Sequence, residues 1–187
     1  MKSFAVFALA VLLASPALAQ RQTFTVNPDA SEVTMTLNTT HEVVHGTFHI
    51  QSGSIGFDRS TPKMSGAVVV VAGSGKTGNG SRDKRMNKEI LQVERHATVS
   101  FESKSYAGTI APTGDSTIQV TGIFTLLDTP HEITIPVLVH LESSTATAKA
   151  HFPLPYIQWG LKDPSLLFWK ADKDVAINLF LTGRLSQ

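Results

Sequence analysis

Glu132-Ile133-Thr134-Ile135-Pro136-Val137-Leu138-Val139-His140-Leu141 is the stretch that decides the fold class. Ile133, Ile135, Val137, Val139 and Leu141 recur at every second position. That period sets one face of an extended strand on an apolar interior and the other in water. Downstream, Ala146, Ala148, Ala150 and Phe152 alternate with Thr145, Thr147, Lys149 and His151. Upstream, Ile118, Val120, Phe124 and Leu126 share one parity with Gly122 between them, against Thr117, Gln119, Thr121 and Thr125. Val33, Met35 and Leu37 begin the series, and Val175, Ile177, Leu179 and Leu181 close it. Alternation of this kind suits antiparallel strands joined by hairpins, because parallel strands are buried on both faces.

Turn chemistry lies between the runs, at Asn27-Pro28-Asp29, Ser52-Gly53, Ala111-Pro112-Thr113-Gly114-Asp115 and Asp128-Thr129-Pro130. About eight to ten strands are expected, hence a sandwich or a barrel. Gly46, Gly66 and Gly122 sit inside strand patterns, where glycine marks a bulge or a barrel corner. Two segments break the alternation. Ser81 to Val93 reads as one helix, with Ser81 as N-cap, Asp83 in the first turn, and Met86 and Ile90 on one face. Pro155 to Lys170 is aromatic and irregular, and Asp163 as N-cap with Pro164 following predicts a short helical turn. No internal repeat or long linker divides the chain.

The chain has 187 residues, 42% hydrophobic and 17% charged, a balance that fits a folded core and not a disordered or coiled-coil protein. It has no cysteine, which excludes disulfides, thiolate metal sites and thiol catalysis. A formal charge of +1 gives no argument for nucleic acid. Lys2, the apolar run Phe4 to Leu13 and Ala17-Leu18-Ala19 predict a signal peptide over residues 1–19. The run is too short to span a bilayer, which takes roughly 20 apolar residues. The mature product expected is a single domain over 20–187, periplasmic or secreted, with no transmembrane segment.

Several motifs invite a chemical reading. Gly73-Ser74-Gly75-Lys76-Thr77 follows Val68-Val69-Val70-Val71, yet Val70 stands where a phosphate-binding loop needs its first glycine. Gly78-Asn79-Gly80 next to it is expected not to carry a helix, so the fragment reads as an ordinary loop. His41, His45 and His49 are four residues apart. In a strand that spacing separates them by about 13 Å, too far to share an ion. No G-x-S-x-G element and no Ser/His/Asp order stands out, so neither an enzyme nor a cofactor site is expected. Arg82, Lys84, Arg85 and Lys88 read first as a solvated helix face and second as contacts for an anionic head group.

Ser81-Arg82-Asp83, then Met86, Val93, Ala97-Thr98-Val99-Ser100-Phe101 and Ser103, resemble the central stretch of the YceI-like family of exported lipid-binding proteins. The likeness extends to Val43–Phe57 with Gly46, Phe48, Gly53 and Asp58, and to Gly122-Ile123-Phe124-Thr125-Leu126 with Thr129 and His131. It also takes in Trp159-Gly160-Leu161-Lys162-Asp163-Pro164-Ser165. Arg85 and Met86 depart from a common His-Leu, and Ala97 from a common proline. The resemblance implies an all-β fold with one short helix, an extended antiparallel lipocalin-like β-barrel holding a polyisoprenoid or related apolar lipid. Strand parity then nominates Phe48, Phe101, Val120, Phe124, Ile135, Val137, Ala148 and Phe152 as cavity wall or, equally, as solid core. The alternative function is a secreted β-sandwich acting as an interaction or stress-response module without a small ligand. The sequence specifies neither the lipid nor the oligomer, a homodimer included.

Overall fold

The computed structural model describes residues 21–186; the signal-peptide reading of residues 1–19 falls outside them. Ten strands follow in order: β1 (Arg21–Val26), β2 (Glu32–Asn38), β3 (Val43–Phe48), β4 (Ile50–Asp58), β5 (Met64–Val71), β6 (Thr98–Ala107), β7 (Gly114–Leu126), β8 (Thr129–Leu141), β9 (Thr145–Leu154) and β10 (Val175–Ser186). A short helix, α1 (Gly80–Arg85), stands between β5 and β6. Every strand pairing is antiparallel, in the order β1-β4-β5-β6-β7-β8-β9-β10-β2-β3, and β1 also pairs with β10.

That last pairing closes the sheet and decides for a barrel over a sandwich. β10 is long enough to take two partners on one side, β2 along Ala176–Phe180 and β1 along Gly183–Ser186. β1 and β2 are two halves of one stave, broken where Asn27 caps a 3₁₀ turn over Pro28–Ala30. β3 and β4 are likewise one stave broken at His49, whose amide donates to Ser74 Oγ at 2.8 Å. Ten strands therefore make eight staves, the number that leaves an interior for side chains or one small ligand. Closure also leaves few open edges.

The expected alternation holds. Ile135, Val137 and Leu141 of β8 are buried while Leu138 is exposed, and Ala146, Ala150, Phe152 and Leu154 of β9 are buried. Gly122 faces Ser103, beside a bulge in β6 between Ser103 and Ser105. Gly66 has φ +100°, a conformation that L side chains rarely adopt.

Several local expectations are corrected; Ser52-Gly53, for one, lies inside β4 and not at a turn. The helix is capped by Asn79, not Ser81: its side-chain oxygen accepts from the Ser81 and Arg82 amides, both at 3.1 Å. Gly78-Asn79-Gly80 thus leads into a helix, because asparagine is among the strongest N-caps. After Arg85 the chain widens into a π-turn over Met86–Ile90, with the Leu91 amide on the Met86 carbonyl at 2.8 Å, and stops short of Val93. Asp163 does accept from the Ser165 amide at 2.8 Å, but no helix follows. The β7–β8 turn is Leu127-Asp128, both at positive φ, one position earlier than the proline suggested. Pro130 and Pro136 lie within β8, in a stretch that pairs with β7 but not with β9. Proline is tolerated there because that side of the strand needs no ladder donor.

Candidate functional site

Strand direction sorts the connections between the two ends of the barrel. One end carries α1 with its π-turn, the turn over residues 39–42, the Leu127-Asp128 turn and the long segment from Pro155 to Asp174. At the other end Ile118 and Leu141 are each 2% exposed, and Tyr106, Ile110 and Ala146 are buried beside them. This end is solidly packed.

The interior is looser along the rest of its length. By parity with buried neighbours, Met35, Leu37, Val70, Val99, Ile133, Val139, Ile177 and Leu179 face inward. They pack on the core yet stay only half-buried. Of the nominated wall residues, Val120, Ile135, Val137 and Phe152 are buried; Phe48, Phe101, Phe124 and Ala148 are half-buried against the core. Phe101 and Phe124 are cross-strand partners, and the Phe124 and Phe152 rings meet edge-on at 6.4 Å. Phe48 stands apart from them, near Met86, where only a glycine fits at position 75. The half-buried set missing from the nominated list was within reach of the same parity argument.

Trp159 was not recoverable from periodicity. Its ring stacks on His131 at 4.1 Å and lies 5.6 Å from Phe124, over the stretch of β8 that β9 leaves unpaired. His131 Nε2 and Asn87 Oδ1 are buried without hydrogen-bond partners, as is Gln22 Oε1 on β1. Orphaned buried polar atoms are uncommon, each costing about 1–3 kcal/mol.

The basic helix face is largely committed to the protein. Arg82 Nη1 contacts Glu42 Oε1 at 2.6 Å, while its Nε donates to Thr77 Oγ1 at 2.9 Å. Arg85 Nη1 donates to the Pro164 carbonyl at 3.3 Å, and Glu89 bridges Arg85 and Lys162. Lys84 and Lys88 are exposed. Asp83 is buried and accepts from Thr77 N and Oγ1 at 2.8 and 2.6 Å. The Thr77 hydroxyl, ahead of the charges of Lys76 and Arg82, holds the Asp83 carboxyl below its ordinary value. A depressed carboxylate contributes stability above the unfolded-state value and loses it as pH falls through the folded one. Asp83→Ala should therefore cost about 1–3 kcal/mol at neutral pH by orphaning the Thr77 donors. In urea titrations the gap to the parent should shrink as pH drops below the carboxylate range; an unchanged gap would show that the carboxylate charge is not what matters.

The other motifs are held by contacts within the chain. Lys76 and Thr47 exchange backbone hydrogen bonds at 2.9 and 3.0 Å, so the Gly-Ser-Gly-Lys-Thr fragment spends its backbone on β3. His41 meets Trp169 edge-on at 4.9 Å and His45 Nδ1 lies 3.1 Å from Thr36 Oγ1. Among the described residues no group of His, Asp and Glu is placed to hold a metal.

Comparison with known proteins agrees with this geometry. The chain is 28% identical over 143 residues to a UPF0312 protein of Pseudomonas savastanoi pv. phaseolicola, covering 74% of this chain and 70% of that one. Burkholderia cenocepacia BcnA superposes with a TM-score of 0.68 at 19% identity, over 84% of this chain and 99% of its own. A polyisoprenoid binding domain from Saccharophagus degradans, implicated in plant cell wall breakdown, gives 0.67 at 14% identity, over 87% and 98%. At such identities these structures speak for the fold. The sequence match is broader: the YceI-like domain aligns with residues 24–182, from the second half of β1 to Thr182 of β10, just short of the residues that pair with β1, and the chain belongs to that family.

Proposed function

We propose that the barrel holds one long apolar chain, a polyisoprenoid or related lipid, for carriage or storage. The carrying observation is the set of inward apolar side chains that remain half-buried inside a closed wall. The alanines of β9 support it, since Ala148 and Ala150, beyond the packed end, put little volume into the interior. Membership of the YceI-like family and the likeness to a polyisoprenoid binding domain point the same way. Each methylene that leaves water for this interior gains about 0.8 kcal/mol, less the cost of ordering a flexible chain. The role is binding and not catalysis.

Phe48, Phe101, Phe124 and Ala148 are the nominated wall residues best placed to touch the chain, with Val120, Ile135, Val137 and Phe152 behind them. A polar end beside His131 or Asn87 would satisfy an orphaned atom. Lys84 and Lys88 are the cations still free to meet an anionic head group, while Arg82 and Arg85 fix the helix. Residues 1–19 act as a signal peptide in this reading, and 20–187 form one exported domain.

Native mass spectrometry of protein from its own host, followed by organic-solvent extraction, tests both parts. The expected result is a chain beginning at Gln20 with an apolar ligand bound. Protein that never yields lipid would instead favour an interaction module without a small ligand, and an intact Met1 on a cytoplasmic product would overturn export.

A further inference from the structure

Leu166, Leu167, Phe168 and Trp169 stand consecutively in water, with Leu167 87% and Phe168 89% exposed. This is an ordered projection. Leu166 and Trp169 exchange backbone hydrogen bonds at 2.8 and 2.6 Å around Leu167, which takes φ +40°. Its base is tied to the 39–42 turn: the Thr40 amide donates to the Lys170 carbonyl at 2.9 Å, and the Lys170 amide to Thr40 Oγ1 at 3.2 Å. The Asp172 amide donates to the Asn38 carbonyl at 2.9 Å. Tyr156, half a loop away, donates its hydroxyl to the Asp172 carbonyl at 2.7 Å; burial pushes that phenol up to about 12. The fold thus holds two large apolar side chains out where they gain nothing intramolecularly.

We propose that this tip docks the protein on a phospholipid bilayer. The inference rests on the lipid-binding reading above, because a ligand with an apolar tail must be collected from or delivered to a membrane. The tip lies on the end of the barrel that is capped by loops and not by packed strands, where such a ligand would pass. Its shape argues against a protein partner. Leu166, Leu167, Phe168 and Trp169 together present about 600 Å², short of the ~800 Å² per side of a stable protein interface. A bilayer needs no matching pocket. Beside the apolar pair stands Trp169, amphipathic and 43% exposed, followed by exposed Lys170, and Pro164–Ala171 contains no acidic residue. Tryptophan and lysine next to an apolar tip are the side chains that settle at the membrane–water interface. Two inserted side chains give reversible attachment, which a carrier requires.

The test uses sedimentation of the full mature protein with phosphatidylcholine vesicles, with and without phosphatidylglycerol. Wild type should partition onto both, more strongly with phosphatidylglycerol. The emission difference between wild type and Trp169→Phe should shift to the blue and be quenched by lipids brominated near the head of the acyl chain. Leu167→Ser with Phe168→Ser should lower partitioning by about tenfold or more, with melting temperature and extracted lipid unchanged. Equal partitioning of parent and double variant would overturn the proposal. So would a parent that ignores vesicles but forms a dimer lost in the double variant, since a second copy would then cover the tip. Lipid-free protein that still docks through Leu167 and Phe168 would uphold the bilayer contact and remove the carrier reading; lipid-loaded protein that does not dock would do the reverse.

Discussion

Ala148→Trp should give a folded barrel that no longer carries lipid. Ala148 points inward between Val139 of β8 and Leu181 of β10, and both it and Val139 are only half-buried. An indole added to a filled core would overpack it, at a cost of about 1–3 kcal/mol or more. For a chain of this size each kcal/mol lowers the melting temperature by about 2–4 °C. In a ligand cavity the indole takes space that the lipid otherwise fills, so the delipidated variant should melt close to the delipidated parent. The melts need delipidated samples, because bound ligand raises apparent stability by mass action. Extracted lipid per protein should fall sharply. A variant that melts many degrees lower, from a parent that never held lipid, would mean a solid core.

Gly66→Ala should be the most damaging small substitution in the wall, costing about 2–5 kcal/mol from left-handed strain plus collision. At φ +100° a Cβ at position 66 would run into the Ser54 carbonyl oxygen on the neighbouring β4. Relaxation is blocked from the other side, where buried Ser103 donates its hydroxyl to the Gly66 carbonyl at 3.1 Å. Gly78→Ala is the matched control. Gly78 has φ +77° with open space around its would-be Cβ, so it isolates the conformational penalty of about 1–2 kcal/mol. Urea denaturation of both variants should separate them; equal losses would show that β4 and β5 yield without cost.

Strand existence and facing were legible because they depend on a period of two, and Ile133 to Leu141 or Ala146 to Phe152 state it without interruption. What escaped depends on contacts between distant segments. Leu127 at φ +50° is a poor turn residue by itself, and the β7–β8 register overrides its preference. The Asn79 cap was hidden by glycines on both sides that argue against a helix. Closure through β1 and β10 leaves no local mark in either strand. The aromatic stretch from Tyr156 to Trp169 looked uniform in sequence, yet Trp159 turns in onto His131 while Phe168 turns out to water. That division is set by the hydrogen bonds that pin the loop base, none of which has a local pattern.

β10 is the only described strand held by three others: β9 on one side, β2 and β1 on the other. Its register with β1 joins Thr23 to Ser186, the opposite ends of the described chain. Contacts so remote in sequence pay their loop-closure entropy late, and topologies rich in them fold slowly. Among the described strands, β1 and β2 emerge well before β10 during synthesis and must wait for it before their ladders are complete. The hairpin of β7 and β8, with thirteen residues in each arm and adjacent in sequence, can assemble without that delay. Refolding should thus show an early phase from β6–β9 and a slow final zippering of β10, the interval in which the apolar interior is open to a passing lipid or to aggregation.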